Sequence, residues 1–250
     1  MNLGIKLMKA YFNFIYNPVY DFTTGRLSRY HQLQEKCVDK LDLKDKDRVL
    51  CVGLGTGNEV LRILEMNRNV NIVGIDYSHT ALQKAYRKAL ALSKEIELLL
   101  MDTRFLQFPD KSFDKVLCIH LMDFVGEDEK VTGEIIRVLK KGGKFVITYP
   151  SAKEGTTLWA NLLNDQIRNG IRSGKNVVRV LLGSLTQMML GLIYLPLLFR
   201  PRRKSYSRGQ LEEMITKLAN TDLQMEEDFI YQALIVCGTK LSKRGWSDAF

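Results

Sequence analysis

The stretch Val49-Leu50-Cys51-Val52-Gly53-Leu54-Gly55-Thr56-Gly57-Asn58-Glu59, with Ile72-Val73-Gly74-Ile75-Asp76 after it, constrains the fold more than any other part of the chain. It reads as a buried strand, a glycine turn, a helix, and a second strand ending in a carboxylate. Glycines 53, 55 and 57 allow positive φ and a close approach of backbone to ligand. The helix that follows points its N-terminal amides at the same place. Asp76 stands where a strand-end carboxylate can accept hydrogen bonds from both hydroxyls of a ribose. The unit predicts an α/β fold with a nucleoside crevice at the carboxyl ends of parallel strands.

The spacing narrows the nucleoside. A dinucleotide fingerprint is G-x-G-x-x-G, whereas this chain has G-x-G-x-G with Asn58 where the third glycine would fall. Glu59 in the first helical turn competes for the positive helix end that a pyrophosphate would need. No Gly-Lys-Ser/Thr follows the turn, which excludes a P-loop.

The G-x-G-x-G turn with an acid at the next strand end resembles class I S-adenosylmethionine methyltransferases. Further motifs follow in order. A helical run, Thr80 to Leu92, leads to the strand Glu97-Leu98-Leu99-Leu100-Met101 and Asp102-Thr103. Phe108-Pro109-Asp110-Lys111-Ser112-Phe113-Asp114 is similar to the family's lead into strand four, expected over 115–119. Glu134-Ile135-Ile136-Arg137-Val138-Leu139-Lys140-Lys141-Gly142-Gly143 is similar to its lead into strand five, expected over 144–149. Ser207-Arg208-Gly209-Gln210-Leu211 opens a last helix, with strands expected over 223–230 and 232–239. The resemblance implies a Rossmann-like seven-stranded sheet, its last strand antiparallel, with helices on both faces. A helical, apolar and basic insertion precedes the last helix and strands. It also implies S-adenosylmethionine as cofactor. Gly53, Leu54, Gly55 and Gly57 would lie along its methionyl part, Asp76 and Tyr77 at the ribose, Asp102 and Thr103 at the adenine, and Ile119 beside them. The expected organisation is an N-terminal cap over 1–42, a cofactor-binding core over 43–150, the insertion over 151–206, completion of the sheet over 207–242, and a tail over 243–250.

Charge and hydropathy single out the insertion. The net charge of +9 is concentrated between residues 160 and 210. That segment holds Arg168, Arg172, Lys175, Arg179, Arg200, Arg202, Arg203, Lys204 and Arg208 against the single acid Asp165. These residues bracket Val180–Phe199, twenty residues without a charge, long enough to span a bilayer. A single crossing would place 207–240 on the far side of the membrane from the sheet they complete. Pro196 would also break a helix near its end. Three readings remain: a helical cover of the sheet, a lid over an apolar substrate, or an element lying in a membrane interface. In the last, Arg179, Arg200, Arg202, Arg203 and Lys204 would face anionic headgroups. Residues 3–16 place Leu3, Leu7, Met8, Tyr11, Phe12, Ile15 and Tyr16 on one helical stripe. The four cysteines, Cys37, Cys51, Cys118 and Cys237, lack metal-ligand spacing and read as small buried hydrophobes. No metal site and no secretory signal with a cleavage site is expected.

Tyr16-Asn17-Pro18-Val19-Tyr20-Asp21-Phe22-Thr23-Thr24-Gly25-Arg26-Leu27-Ser28 is similar to the segment before the core in two groups. These are the ubiquinone/menaquinone C-methyltransferases and the bacterial phosphatidylethanolamine N-methyltransferases. The resemblance implies that Tyr20, with Tyr16 as a second candidate, closes the cofactor site. Pro18 predicts an extended backbone at residue 17. His120, after strand four, is a candidate base because an imidazole takes a proton near neutral pH, and Asp123 lies one helical turn on. Tyr149 could line the acceptor pocket or be a core aromatic. The Asn/Asp-Pro-Pro-Tyr/Phe motif of amide- and adenine-nitrogen methylases is absent after strand four, where Ile119-His120-Leu121-Met122 stands.

The expected function is methyl transfer to a lipophilic acceptor, a phospholipid headgroup amine, a quinone or a related lipid, in the cytoplasm at the inner face of a membrane. Alternatives are a soluble small-molecule acceptor with the insertion as lid, an RNA-binding methyltransferase, and an inactive cofactor-binding scaffold. Nucleic acid ranks low because the basic residues flank an apolar run and have one aromatic, Tyr206, among them.

Overall fold

In the computed structural model the described residues are 10–24, 28–66, 69–151, 204–228 and 233–241, with scattered positions between 167 and 185. Arg179, Arg200, Arg202, Arg203, the apolar run beyond 185 and the stripe residues Leu3, Leu7 and Met8 lie outside them. Among the described residues no helix is long and apolar enough to cross a membrane.

A π-helical turn, Phe12–Tyr16, runs into α1 (Asn17–Thr24) and is followed by α2 (Ser28–Asp39). The core then alternates β1 (Arg48–Val52), α3 (Asn58–Glu65), β2 (Asn71–Asp76), α4 (His79–Ala91), β3 (Glu97–Leu100) and β4 (Phe113–Cys118). A short α5 (Met122–Val125), α6 (Asp128–Val138) and β5 (Leu139–Pro150) follow. After the insertion, α7 (Arg208–Leu218), β6 (Thr221–Asp228) and β7 (Ala233–Lys240) close the fold.

The seven strands lie in the order β3-β2-β1-β4-β5-β7-β6. The first five are parallel, and β7 pairs antiparallel with both β5 and β6. This is the expected sheet, with the segment after 207 supplying its far edge. Strand order reverses between β1 and β4, so a crevice opens above their carboxyl ends. The parallel strands are apolar on both faces because helices cover both. Leu33, Cys37 and Val38 of α2, with Leu41 just past its end, pack on one face with Val60 and Ile63 of α3 and Leu82, Ala85 and Ala89 of α4. Val131, Ile135 and Ile136 of α6 pack on the other with Leu211 and Ile215 of α7. All four cysteines are buried free thiols.

Two local expectations are corrected. Asn17 has φ −60 and ψ −38, so the chain is helical there and not extended. Pro18 follows the π-helical turn, where the Asn17 N–H reaches back to the Phe12 carbonyl and the wider turn lets the helix continue past a residue that has no N–H. Strand β5 begins at Leu139, five residues before the expected start. Its pairing with β4 shifts register between Phe113 and Lys115, and Gly142 takes φ 74 to absorb the irregularity.

The glycines of the first turn differ in what fixes them. Gly57 caps α3 at φ 78, and a Cβ there would stand 2.8 Å from the Ala85 Cβ of α4. Gly57→Ala combines left-handed strain with overpacking. It is expected to lower the free energy of unfolding by about 2 kcal/mol or more, read from urea denaturation with the slope unchanged; a loss under half of that would show that α3 and α4 are not held this closely.

Candidate functional site

The site is built where β1, β2, β3 and β4 end. Gly53, at φ 66, turns the chain after β1, and a Cβ would meet Leu121 Cδ1 at 2.7 Å. Gly55, at φ 54, has nothing within 4 Å of the same position. That residue borders open space in which a ligand can reach the backbone. Leu54 points the other way: it is buried against the helices, and its N–H donates to the Ile75 carbonyl at 3.0 Å. Its contribution to the site is therefore through the backbone it anchors.

Asp76 is the hub. One carboxylate oxygen accepts the Gly55 N–H at 2.9 Å and the other the Ser78 N–H at 2.8 Å. The residue is 7% exposed. Burial raises its pKa, and the amides of Ser78, Gly55 and Tyr77 oppose that rise by bonding the ionised form. Each oxygen accepts more than one hydrogen bond, so the two together retain capacity for two hydroxyls. Tyr77 beside it is partly exposed, with its ring 5.9 Å from Phe12.

Asp102 and Thr103 lie next to this corner because Met101 N–H donates to the Asp76 carbonyl at 3.0 Å. Thr103 is buried, whereas the Asp102 side chain is on the rim. Arg104 holds both Asp102 oxygens, from Nε at 3.0 Å and Nη2 at 2.6 Å, and reaches Glu127 at 2.7 Å. The guanidinium keeps the Asp102 carboxyl below the usual carboxylate range. Ile119 is buried beneath, in the α2–α3–α4 face of the core.

The N-terminal segment is fastened over the crevice by polar side chains. Ser78 caps α4 by accepting from Ala81 N–H, and it donates to Asn13 Oδ1 at 2.6 Å. Asn17 Nδ2 donates to Ser78 Oγ at 2.8 Å. Asp21 accepts from Thr56 Oγ1 of the glycine turn at 2.6 Å and from Lys88 Nζ of α4 at 2.7 Å. Asn17 and Ser78 are buried and the remaining partners mostly half-buried, so these bonds contribute more than exposed ones would.

Aromatic rings fill the space between this segment and β4. Tyr20 packs on Tyr16 with centroids 5.2 Å apart, and its hydroxyl bonds that of Tyr30. Phe124 faces Phe12 at 5.5 Å and Tyr16 at 6.5 Å. Tyr30 stacks on the His120 ring at 5.6 Å. His120 itself sits at φ 56, an uncommon region for a residue with a Cβ. Its N–H donates to Thr148 Oγ1 at 2.7 Å, and Nδ1 lies 2.9 Å from Asp123 Oδ2. With Nδ1–H donated to Asp123, Nε2 is the basic nitrogen.

The structure thus gathers Gly53, Gly55, Asp76, Tyr77, Asp102, Tyr20 and His120 at one edge of the sheet. It removes Tyr149, which is buried with its hydroxyl 2.7 Å from Thr132 Oγ1 and its ring against Tyr206. Sequence reading missed Asn13, Asn17, Asp21, Tyr30, Gln34 and Arg104. Tyr30 alone left a signal, as it begins the inner face of α2 that Leu33 and Cys37 continue. Among the described residues no group of His, Cys, Asp and Glu could hold a metal ion. The open space at Gly55, the two-oxygen acceptor at Asp76 and the aromatic cover fit an adenosyl cofactor carrying a sulfonium.

A sequence profile described as a methyltransferase domain matches residues 43–189, more than half of the chain. A phosphatidylethanolamine N-methyltransferase of Cereibacter sphaeroides is 36% identical over 138 residues, covering 54% of this chain and 65% of the relative. A demethylmenaquinone methyltransferase of Thermus thermophilus is 33% identical over 141 residues, covering 55% and 64%. The chain therefore spans just under two thirds of the length of these relatives. A SAM-dependent methyltransferase from Aquifex aeolicus superposes with a TM-score of 0.56 at 16% identity, over 83% of this chain and 89% of that one.

Asp76→Ala is expected to weaken binding of S-adenosylhomocysteine about tenfold or more by calorimetry, since it removes charge-assisted bonds to two hydroxyls. Unchanged affinity in a variant that still unfolds cooperatively would sink the ribose assignment.

Proposed function

We infer from the methyltransferase-domain family, to which the chain belongs, that it transfers a methyl group from S-adenosylmethionine to an acceptor held under the N-terminal segment. When bound, the cofactor supplies a methyl on a sulfonium, so an acceptor lone pair forms the new bond as the carbon–sulfur pair returns to sulfur. The protein need not generate a strong electrophile; it must align the partners and keep water out. Asp76, Gly55 and the β3 end orient the adenosyl part. Tyr16, Tyr20, Tyr30 and Phe124 form the wall that excludes solvent. Asp123 holds the His120 ring in one tautomer, which leaves Nε2 to take a proton from an acceptor that must lose one.

The acceptor we propose is the amine headgroup of an ethanolamine phospholipid. One observation carries this reading: a run of ring contacts from Phe124 through Tyr16, Tyr20 and Tyr30 ends on His120, and aromatic faces attract an alkylammonium as it gains methyl groups. The phosphatidylethanolamine methyltransferase relative supports it. A quinone ring is the second reading, supported by the demethylmenaquinone methyltransferase relative.

We also propose that the protein works at an anionic membrane surface, on the cytoplasmic side. Phe14 is 78% and Phe22 51% exposed on the outer side of the segment whose inner side covers the crevice. Two exposed phenylalanines beside a site for a lipid headgroup suit insertion at an interface. The run Arg200, Arg202, Arg203 and Lys204 adds about 1 kcal/mol per residue near anionic lipid.

Radiolabelled S-adenosylmethionine and vesicles of phosphatidylethanolamine test the chemistry. Label is expected in the organic phase as an N-methylated lipid. Label in a quinone fraction would favour the second reading, and label confined to the aqueous phase would overturn both. His120→Ala is expected to lower kcat about 100-fold with cofactor affinity unchanged. Replacing Arg200, Arg202, Arg203 and Lys204 by Ser is expected to abolish cosedimentation with anionic vesicles while cofactor affinity stays; equal sedimentation would remove the surface assignment.

A further inference from the structure

Lys88 is a charged side chain of α4 that the transfer chemistry above does not use. An ammonium has three N–H donors, and this one meets Asp21 Oδ1 at 2.7 Å, Asn58 Oδ1 at 2.6 Å and Thr56 Oγ1 at 3.2 Å. Thr56 donates in turn to the same Asp21 oxygen at 2.6 Å. Lys88, Asp21 and Thr56 therefore close a triangle, with Asn58 attached at the start of α3. These residues come from the covering segment, the glycine turn, α3 and α4, which are far apart in the chain. Lys88 and Asp21 are half-buried and Thr56 is buried, so solvent screens the contacts less than it screens an exposed pair.

The cluster reaches further than docking of one helix. Thr56 lies between Gly55, whose N–H is held by Asp76, and Gly57, which caps α3. The glycine turn is thus fixed by Asp76 at one residue and by Lys88 at the next. Asp21 directly follows Tyr20, whose hydroxyl bonds that of Tyr30, and Tyr30 stacks on His120. Fixing Asp21 therefore fixes the aromatic wall as well. Lys84, one helical turn earlier in α4, behaves differently. It donates to the Asn17 and Pro18 carbonyls at 2.7 and 3.0 Å and stands 3.7 Å from Asp21. It grips the covering segment, and among the described residues it makes no hydrogen bond to the glycine turn.

We propose that Lys88 is a positioning residue for methyl transfer, which holds the aromatic wall against the glycine turn so that cofactor and acceptor meet at one fixed separation. The assignment deepens the transfer reading above and rests on it. Lys88 acts through Asp21 and Thr56 and needs no contact with either reactant. Loss of such a pin costs alignment, which is read in the turnover of the bound complex and not in the affinity of either partner.

Lys88→Met keeps the aliphatic length and removes the donors. With radiolabelled S-adenosylmethionine and phosphatidylethanolamine vesicles it is expected to lower kcat about tenfold or more. KM for the lipid and the calorimetric affinity for S-adenosylhomocysteine are expected to stay within about twofold of the parent. Lys84→Met loosens the segment alone and is expected to lower kcat less than about threefold. Adding Asp21→Asn to Lys88→Met is expected to cost little more, because both act through one contact. Equal losses in the two lysine variants, a matching loss of cofactor affinity, or an unchanged kcat in Lys88→Met overturns the assignment. Hydrogen exchange separates it from the choice of acceptor. S-adenosylhomocysteine is expected to protect 53–59 and 11–24 in the parent and in Lys84→Met, and 53–59 alone in Lys88→Met. Protection confined to 53–59 in the parent, or surviving over 11–24 in Lys88→Met, overturns the pin. Absence of methylated lipid from the parent overturns the phospholipid reading instead, and failure of S-adenosylhomocysteine to bind overturns the cofactor reading.

Discussion

The rest of the site depends on one carboxylate. Asp76 joins the end of β2 to the glycine turn through the Gly55 N–H and to the start of α4 through the Ser78 N–H. Ser78 in turn caps α4 and accepts and donates to Asn17 and Asn13. A single buried acid therefore sets the shape of the turn and the origin of a helix. Through one further hydroxyl it also sets the position of the segment that covers the crevice. Because the amides hold Asp76 in place, its carboxylate is fixed before any ligand arrives, and little reorganisation of it opposes binding.

That covering segment is held by polarity and shaped by aromaticity. Its inner side carries Asn13, Asn17 and Asp21 toward the core, with Tyr16 and Tyr20 between them; its outer side carries Phe14 and Phe22. Buried Tyr11 and Phe12 add an apolar contact on the inner side, so the segment is docked by both kinds of interaction.

The fold and the geometry of the glycine turn were legible because they rest on residues that few others replace. Gly57 at φ 78 against Ala85, Gly53 against Leu121, and Asp76 at a strand end each leave a mark at fixed spacing. The cover was less legible. Pro18 reads as extended by its effect on residue 17, yet the π-helical turn before it, closed by the Asn17 N–H on the Phe12 carbonyl, carries the helix through. Long-range partners such as Asp21 with Thr56 and Lys88, or Gln34 with Glu59, have no period and no spacing, so nothing in the chain announces them. Tyr149 illustrates the converse: strand-end placement suggested a pocket residue, but α6 supplies Thr132 to its hydroxyl and closes the core over it.

The unfavourable features of the molecule are not spread evenly, and their distribution carries meaning. At the amino ends of the parallel strands the charges are matched: Asp114 meets Lys140 and the Arg48 N–H, and Arg137 meets Glu134 and Asp110. At the carboxyl ends His120 holds a positive φ, Asp76 and Glu59 are buried acids with raised pKa values, and Gln34 carries an orphaned carbonyl. Both sets share one sheet and the same helices, so packing quality does not separate them. What separates them is the crevice. Positive φ also occurs at Lys46 and Lys111 before β1 and β4, in exposed turns, whereas His120 holds it beside the crevice, where surrounding contacts fix the strained backbone.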